Sequence, residues 1–146
     1  MRVTMTILTG LMMLLAAGAE TVTALRPAIR EAAAKHGVDP VLMEAIIRHE
    51  SANATSSAAR RKNNLAGIMG RRGQRRYESK EACVEDLAAL LAKYKAKGRI
   101  TVAQISRSYC ASRAPWTRHI TATMSSIRSG KWGEYQDSPS KEQEED

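Results

Sequence analysis

Glu50 is the residue of this chain whose position best suits acid–base chemistry. It stands at the end of an apolar run with helical spacing, and Ser51 follows it. An acid at the edge of a buried helix faces the groove that the next segment builds, and partial burial favours the protonated form of a carboxyl group. Such a group is suited to protonate a glycosidic oxygen. A surface acid that happens to end a helix is the simpler alternative.

A polar segment separates Glu50 from residues 63–68, which read Asn-Asn-Leu-Ala-Gly-Ile. This run predicts a short strand that forms the other wall of the groove. We expect Asn64 to hold the adjoining loop through backbone hydrogen bonds. Farther along, Trp116 begins an amphipathic helix, where it is either a platform for a sugar ring or a core residue.

These pieces, taken in order, resemble the glucosaminidase family (glycoside hydrolase family 73) of the lysozyme-like superfamily, which includes the flagellar peptidoglycan hydrolases. The resemblance covers about residues 38–128. The matching pieces are Glu50-Ser51, the run from Asn63 to Ile68, Tyr77-Glu78-Ser79, Val84-Glu85-Asp86-Leu87, Tyr109, Trp116 and Ile120.

The resemblance implies a mainly α-helical, lysozyme-like domain with a short β-hairpin lobe. It implies cleavage of the β-1,4 glycan of peptidoglycan after N-acetylglucosamine, with Glu50 as the general acid and Tyr109 assisting at the reacting sugar. Muramidase or lytic transglycosylase cleavage is the alternative within enzymes. The residues assigned to the substrate groove are Asn64, Gly67, Ile68, Tyr77 and Trp116.

A second carboxylate is harder to find. Glycosidases usually pair two acids, and the resembling family often places the second one in the lobe. Here residues 69–77 contain no acid, and Glu78 is the nearest candidate. Glu78 would equally suit the N-terminus of the next helix as a favourable charge. If Glu78 does not react, three alternatives remain: the 2-acetamido group of the substrate as nucleophile, a mechanism with a single Glu, or a wall-binding protein without turnover.

The first 19 residues predict a secretory signal peptide. Arg2 precedes a short apolar centre, and Ala17-Gly18-Ala19 is a small-residue cleavage site. An uncleaved N-terminal anchor is the alternative. We therefore expect an exported bacterial protein, periplasmic or secreted, with no stable membrane insertion after cleavage. In such a compartment Cys83 and Cys110 predict a disulfide, which would close a loop of about 27 residues and contribute roughly 3 kcal/mol. Two separate thiols are the alternative.

Charge and composition narrow the choice of partner. Residues 20–135 carry 21 Lys and Arg and 10 Asp and Glu, a net charge of 21 − 10 = +11, which predicts an anionic polymer as the partner. Nucleic acid is disfavoured because aromatic residues make up only 4% of the chain. The three His are scattered, so no metal is expected, and no cofactor. We expect a monomer. The basic residues expected to flank the groove are Arg60, Arg61, Lys62, Arg71, Arg72, Arg75 and Arg76.

The periodicity predicts mainly helices, with Glu44 on an exposed face, and a disordered acidic tail at 136–146. The expected helices are Glu20 to His36 (with a possible start at Pro27), Pro40 to Ser51, Ser57 to Arg61, Ser79 to Ala96, Thr101 to Tyr109 and Pro115 to Gly130. The expected hairpin strands are Leu65 to Met69 and Gln74 to Tyr77.

Overall fold

A computed structural model describes residue 18 and residues 20–135 of the chain. The predicted leader, apart from Gly18, and the acidic tail lie outside the described residues. Within the described part, no helix combines the length and the apolar character needed to cross a membrane.

The domain is mainly helical with one small antiparallel hairpin, which confirms the lysozyme-like, mainly α prediction. The strands pair Met69 with Gln74 and Gly70 with Gly73. The elements in chain order are α1 (Arg26–His36), α2 (Pro40–Glu50), α3 (Ser57–Lys62), β1 (Met69–Gly70), β2 (Gly73–Gln74), α4 (Lys80–Ala96), α5 (Val102–Tyr109) and α6 (Arg113–Arg128).

Local capping chemistry sets where most helices begin. The Asp39 carboxylate accepts a hydrogen bond from the backbone N–H of Val41 at 2.8 Å, and Pro40 takes the first helical position. The Ser79 side chain caps α4, and Thr101 forms a capping box with Gln104 at the start of α5. These starts agree with the predicted ones. Helical residues 20–24 are interrupted at residue 25 before α1, as Pro27 in the first turn of α1 suggested.

The hairpin is shorter than predicted, because each strand has two residues rather than four or five. The reason lies in Asn64, which is buried. Its side-chain N–H group donates to the carbonyls of Ile68 and Arg75, both at 2.9 Å. A side chain thus replaces part of the backbone ladder, and the segment from Leu65 to Ile68 forms a loop instead of a strand.

Helix α2 is the centre of the domain, packed between α6 and α1. All of its residues from Val41 to Arg48 are buried. The buried apolar residues of α2 belong to one hydrophobic cluster, which extends from α1 to α6.

The prediction that Glu44 is exposed was wrong. Its side chain is 0% exposed and forms ion pairs with Arg26 at 3.0 Å and Arg48 at 2.8 Å. The Arg48 guanidinium also lies 4.0 Å from the centre of the Trp132 ring. Arg48 lies one turn away on α2, but Arg26 comes from α1 and Trp132 from the segment after α6, which a local pattern on α2 cannot reveal.

The predicted disulfide was also wrong, since Cys83 and Cys110 are both free thiols. Cys83 is buried under the loop before the hairpin, where its Sγ accepts a hydrogen bond from the Leu65 backbone N–H at 3.3 Å. Burial raises the pKa of the Cys83 thiol to about 11, so this group is a neutral thiol at physiological pH. Cys83 therefore acts as a packing residue and as an acceptor for the loop.

Candidate active site

The Glu50 carboxylate lies where α2 ends, between α6 and the loop before the hairpin. The Trp116 indole Nε1–H donates a 2.6 Å hydrogen bond to Glu50 Oε1. On the other side is Gly67, whose backbone has the left-handed φ of +65°. A Cβ atom on Gly67 would lie 3.0 Å from Glu50 Oε2. Glycine at position 67 therefore serves both the backbone conformation and the close approach of the acid.

Asn64 fixes the loop that carries Gly67. Besides donating to two carbonyls, its side-chain oxygen accepts from the backbone N–H groups of Ala66 at 3.3 Å and Ile68 at 3.2 Å. All of these partners are main-chain groups on both sides of Gly67 and on the return strand. The Asn64 side chain therefore holds the wall beside Glu50 in one conformation. Asn63 is the residue with left-handed φ that ends α3, and its side-chain N–H group donates to the Tyr77 carbonyl at 3.2 Å.

Tyr109, the last residue of α5, lies next to Trp116 of α6. Its ring stacks on Trp116 with the ring centres 5.3 Å apart, and its hydroxyl donates to the Ala66 carbonyl. Burial, and next the Glu50 charge, raise the pKa of Tyr109 well above its usual value. The hydroxyl is therefore protonated at neutral pH. Its proposed assistance at the sugar remains a prediction.

Trp116 is placed to hold Glu50 rather than to offer an open face to a sugar ring. The residue is 3% exposed and belongs to the core. One edge of its ring carries the N–H that bonds the acid, and one face is covered by Tyr109. The core alternative thus describes its packing, while its hydrogen bond places it at the candidate site.

The chain directly after Glu50 has an unusual backbone. Ala52, Asn53 and Ala54 all have left-handed φ angles of 49°, 53° and 64°, which cost L-residues roughly 1–2 kcal/mol each. The buried Ser51 hydroxyl donates to the Ile47 carbonyl at 2.5 Å and accepts from the Ala54 N–H at 2.9 Å. The loop is therefore held in place from α2 itself.

Arg48 joins this loop to the buried ion pairs. While it pairs with Glu44, its Nη1–H donates to the Asn53 side-chain oxygen at 3.1 Å. The Asn53 N–H in turn donates to the Arg48 carbonyl at 2.9 Å. The ion-pair cluster and the turn after Glu50 are thus one connected unit.

A cavity of about 320 Å³ opens beside the site. Glu50 does not line it, but Gly67 and Tyr109 do, and Asp86 of α4 is the carboxylate on its wall. Asp86 Oδ2 accepts from the Tyr77 hydroxyl at 2.5 Å and from Arg75 Nη1 at 2.8 Å. Tyr77 is thus placed against Asp86, and burial followed by this hydrogen bond raises the pKa of Tyr77.

Asp86 is a candidate second carboxylate that the sequence did not indicate, because the family resemblance pointed to the lobe and its nearest acid, Glu78. A signal was present in the spacing of Asp86, Leu90 and Lys93, which recur every three or four residues and so share one face of α4. Glu78 is exposed, in the bend just before the Ser79 cap. Its role as the second carboxylate remains a prediction.

Two further features lie near the site. The exposed rings of His49 and His119 stack with their centres 5.4 Å apart. Across the part of the chain that the structure describes, no three His, Cys, Asp or Glu side chains cluster closely enough to hold a metal ion. The arginines of α3 and the hairpin are exposed, as is expected for a charged face.

A model of the glucosaminidase family, described as mannosyl-glycoprotein endo-beta-N-acetylglucosaminidase, matches residues 26–129, which run from the first residue of α1 to the end of α6. The chain belongs to the glucosaminidase family. This confirms the resemblance, and it makes the domain a peptidoglycan-related glycosidase domain. No curated protein and no solved structure is significantly similar to the chain.

Proposed function

We propose that this glucosaminidase-family protein is an exported bacterial endo-β-N-acetylglucosaminidase that cuts the glycan strands of peptidoglycan, with Glu50 as the general acid. The observation that carries the proposal is the arrangement around one carboxylate. Trp116 bonds Oε1, and Gly67 leaves Oε2 beside a wall that has no side chain at that point. A partly buried acid that a single hydrogen bond from an indole N–H holds in place is suited to transfer a proton to a substrate.

The proposed step begins with protonated Glu50 beside the glycosidic oxygen. As the bond to the sugar carbon breaks, the proton moves from Glu50 to the leaving oxygen and positive charge develops on the ring. Glu50 becomes a carboxylate in this step. The Trp116 N–H then donates to a charged acceptor, and such a hydrogen bond is stronger than one to a neutral group. Trp116 therefore favours the transition state over the ground state.

The mechanism also requires a group that attacks the sugar carbon, or activates a water to do so. Glu78 as a base, or the 2-acetamido group of the substrate, would each complete the reaction. Asp86 lines the neighbouring cavity and is a further carboxylate to test. Muramidase or lytic transglycosylase chemistry would leave different products: a reducing N-acetylmuramic acid end, or a 1,6-anhydro ring.

A second candidate function is wall binding without turnover. The observation that favours it is the hairpin lobe, in which residues 69–77 contain no acid and Glu78 is exposed. In that case the groove would hold glycan, and Glu50 would act only as a hydrogen-bonding group.

The deciding experiment is digestion of purified peptidoglycan by the protein and by Glu50→Gln, with the released fragments identified by mass spectrometry. Glu81→Gln is the matched control, because Glu81 is an exposed acid on α4. We expect reducing N-acetylglucosamine ends from the protein and the control, and a loss of at least about 100-fold in Glu50→Gln. If the protein releases nothing but sediments with the wall, the wall-binding function replaces the enzymatic one.

A further inference from the structure

Positive charge is concentrated in one part of the domain. Residues 57–78, which comprise α3, the hairpin and the loop between them, contain seven Lys and Arg and one acid, a net charge of 7 − 1 = +6. Residues 20–135 carry +11 in total, so the other 94 residues carry only 11 − 6 = +5. We call residues 57–78 the basic lobe. Its 22 residues thus carry more net charge than the other 94 residues together.

Hydrogen bonds connect the two basic elements of the lobe, α3 and the hairpin. Arg76 Nη1 donates to the Arg61 carbonyl at 2.6 Å, and the Tyr77 N–H donates to the Lys62 carbonyl at 2.8 Å. Lys62 Nζ reaches the Gln74 carbonyl at 3.4 Å. These contacts join the end of α3 to residues 74–77, so the backbones that carry the cations are held next to each other.

Most of this charge is not neutralised within the domain. Among residues 20–135, the lobe cation that forms an ion pair is Arg75, with Asp86. Arg60, Arg71 and Arg72 are exposed. Holding like charges together costs free energy through repulsion, and an anionic ligand would offset that cost.

The place of the lobe in the fold indicates where such a ligand comes from. The chain passes from Gly67, beside the Glu50 carboxylate, through Ile68 into β1, so the lobe continues the wall of the candidate site. Arg75 and Lys93 also line the neighbouring cavity. An anion bound here would belong to the same polymer that Glu50 meets.

We propose that the basic lobe binds the carboxylates of the peptides that substitute the glycan, and so makes the protein select peptide-bearing strands over stripped ones. This inference rests on the proposed function, because it assumes peptidoglycan in the groove. The carboxylates lie on flexible peptides, and a row of exposed guanidinium groups suits them, since Arg binds carboxylates through paired hydrogen bonds.

The test measures binding rather than turnover, so that it does not depend on catalysis. Every variant carries Glu50→Gln, and its binding is measured by fluorescence anisotropy with labelled soluble glycan strands that carry uncross-linked peptides and with the same strands stripped of peptides by an amidase. The lobe variant is Arg71→Gln with Arg72→Gln. The matched control is Lys97→Gln with Arg107→Gln, which removes the same charge from exposed positions outside the lobe.

We expect about five-fold tighter binding to intact than to stripped material in the parent protein and in the control, from charge pairs of modest individual strength. The lobe variant should lose this preference, and salt should weaken it in the parent. Arg60→Gln with Arg61→Gln gives a second lobe variant in case the first alters the hairpin.

Three results would overturn the proposal: no preference in the parent, an equal loss in the control, or lobe-dependent binding to stripped strands that still hold phosphate polymers. A fourth would assign the lobe to the acidic segment 137–146 instead: its removal would then increase lobe-dependent binding to both materials equally. If the wild-type protein fails to digest peptidoglycan but the preference is present, the proposed catalysis fails while the lobe assignment stands.

Discussion

Two glutamates on α2 have the same side chain and opposite surroundings. Glu44 is fully buried, and its carboxylate accepts hydrogen bonds from both Arg26 and Arg48 at 2.8–3.2 Å. Glu50, six residues later, is half-buried, and Trp116 donates to one of its oxygens. The first carboxylate is saturated with charged donors, while the second retains an oxygen beside the Gly67 wall.

The comparison separates a structural acid from a candidate catalytic one on physical grounds. Both oxygens of the Glu44 carboxylate already accept hydrogen bonds from guanidinium groups inside the core, so neither can reach a substrate. Burial lowers the pKa of Arg48, and Glu44 opposes that effect, which shows how closely the two groups depend on each other. A general acid needs a site where both protonation states are accessible. Glu50 is only partly buried and is held by one hydrogen bond from Trp116, so its carboxyl group is placed where a substrate could meet it.

The largest effect that would test this comparison is on stability. Glu44→Ala leaves the two buried guanidinium groups without their counter-ion, so we expect the free energy of unfolding to fall by about 3–5 kcal/mol. Glu50→Gln keeps the shape of a half-buried side chain and should change it by less than about 1 kcal/mol. Urea denaturation followed by circular dichroism measures both.

The matched variant for shape is Glu44→Gln, which should fall between these values. If Glu44→Ala costs no more than Glu50→Gln, the ion pairs do not stabilise the fold and the distinction between the two acids is lost. A Glu44→Ala protein that fails to fold would agree with the comparison, provided that Glu44→Gln is measurably destabilised.

The sequence predicted those features of the fold that depend on neighbours along the chain. Asp39, Ser79 and Thr101 each cap the helix that follows, because a cap is formed within three or four residues. The helix predicted from Pro115 to Gly130 likewise forms, as α6, although it begins two residues earlier, and its Ile120 and Ile127 lie in the core.

The failures share the opposite cause, since each depends on contacts between distant segments. Glu44 pairs with Arg48 on its own helix, but its burial also depends on Arg26, 18 residues before it, and on Trp132, whose ring lies beside Arg48. The predicted strand from Leu65 became a loop because the Asn64 side chain bonds the return strand. For the candidate site, Glu50 was identified from the sequence, but the approach of Trp116 from 66 residues away was not.

A change at Trp116 tests the Glu50 half of the comparison. Trp116→Phe removes the N–H donor while keeping an aromatic ring against Tyr109. A hydrogen bond to a charged group contributes about 1.5–3 kcal/mol, so we expect kcat/KM on peptidoglycan fragments to fall about 10- to 100-fold. The matched control is Trp132→Phe, which alters the aromatic ring over Arg48 near Glu44 and should leave kcat/KM within about two-fold.

Equal losses from the two tryptophan variants would contradict this assignment. That result would mean that packing, and not the hydrogen bond to Glu50, carries the effect at position 116. A loss of kcat/KM confined to Trp116→Phe, measured where circular dichroism shows the variant to be fully folded, would tie the indole N–H to the chemistry.

The smallest effect concerns the turn after Glu50, which Arg48 links to the Glu44 ion pairs. Ala52 is exposed and has a left-handed φ of 49°, so Ala52→Gly relieves the backbone without removing packing. We expect the free energy of unfolding to rise by about 0.5–1 kcal/mol, after the greater chain entropy of glycine in the unfolded state is subtracted.

Ala54→Gly makes the same backbone change at a position that is 8% exposed, and there the lost methyl contact of about 0.8 kcal/mol should cancel the gain. If both variants destabilise the protein equally, the turn is not strained, and the bond from Arg48 to Asn53 holds a relaxed loop. If only Ala52→Gly stabilises the protein, the backbone next to Glu50 is strained. The ion pairs of Glu44 with Arg26 and Arg48 would then offset that strain.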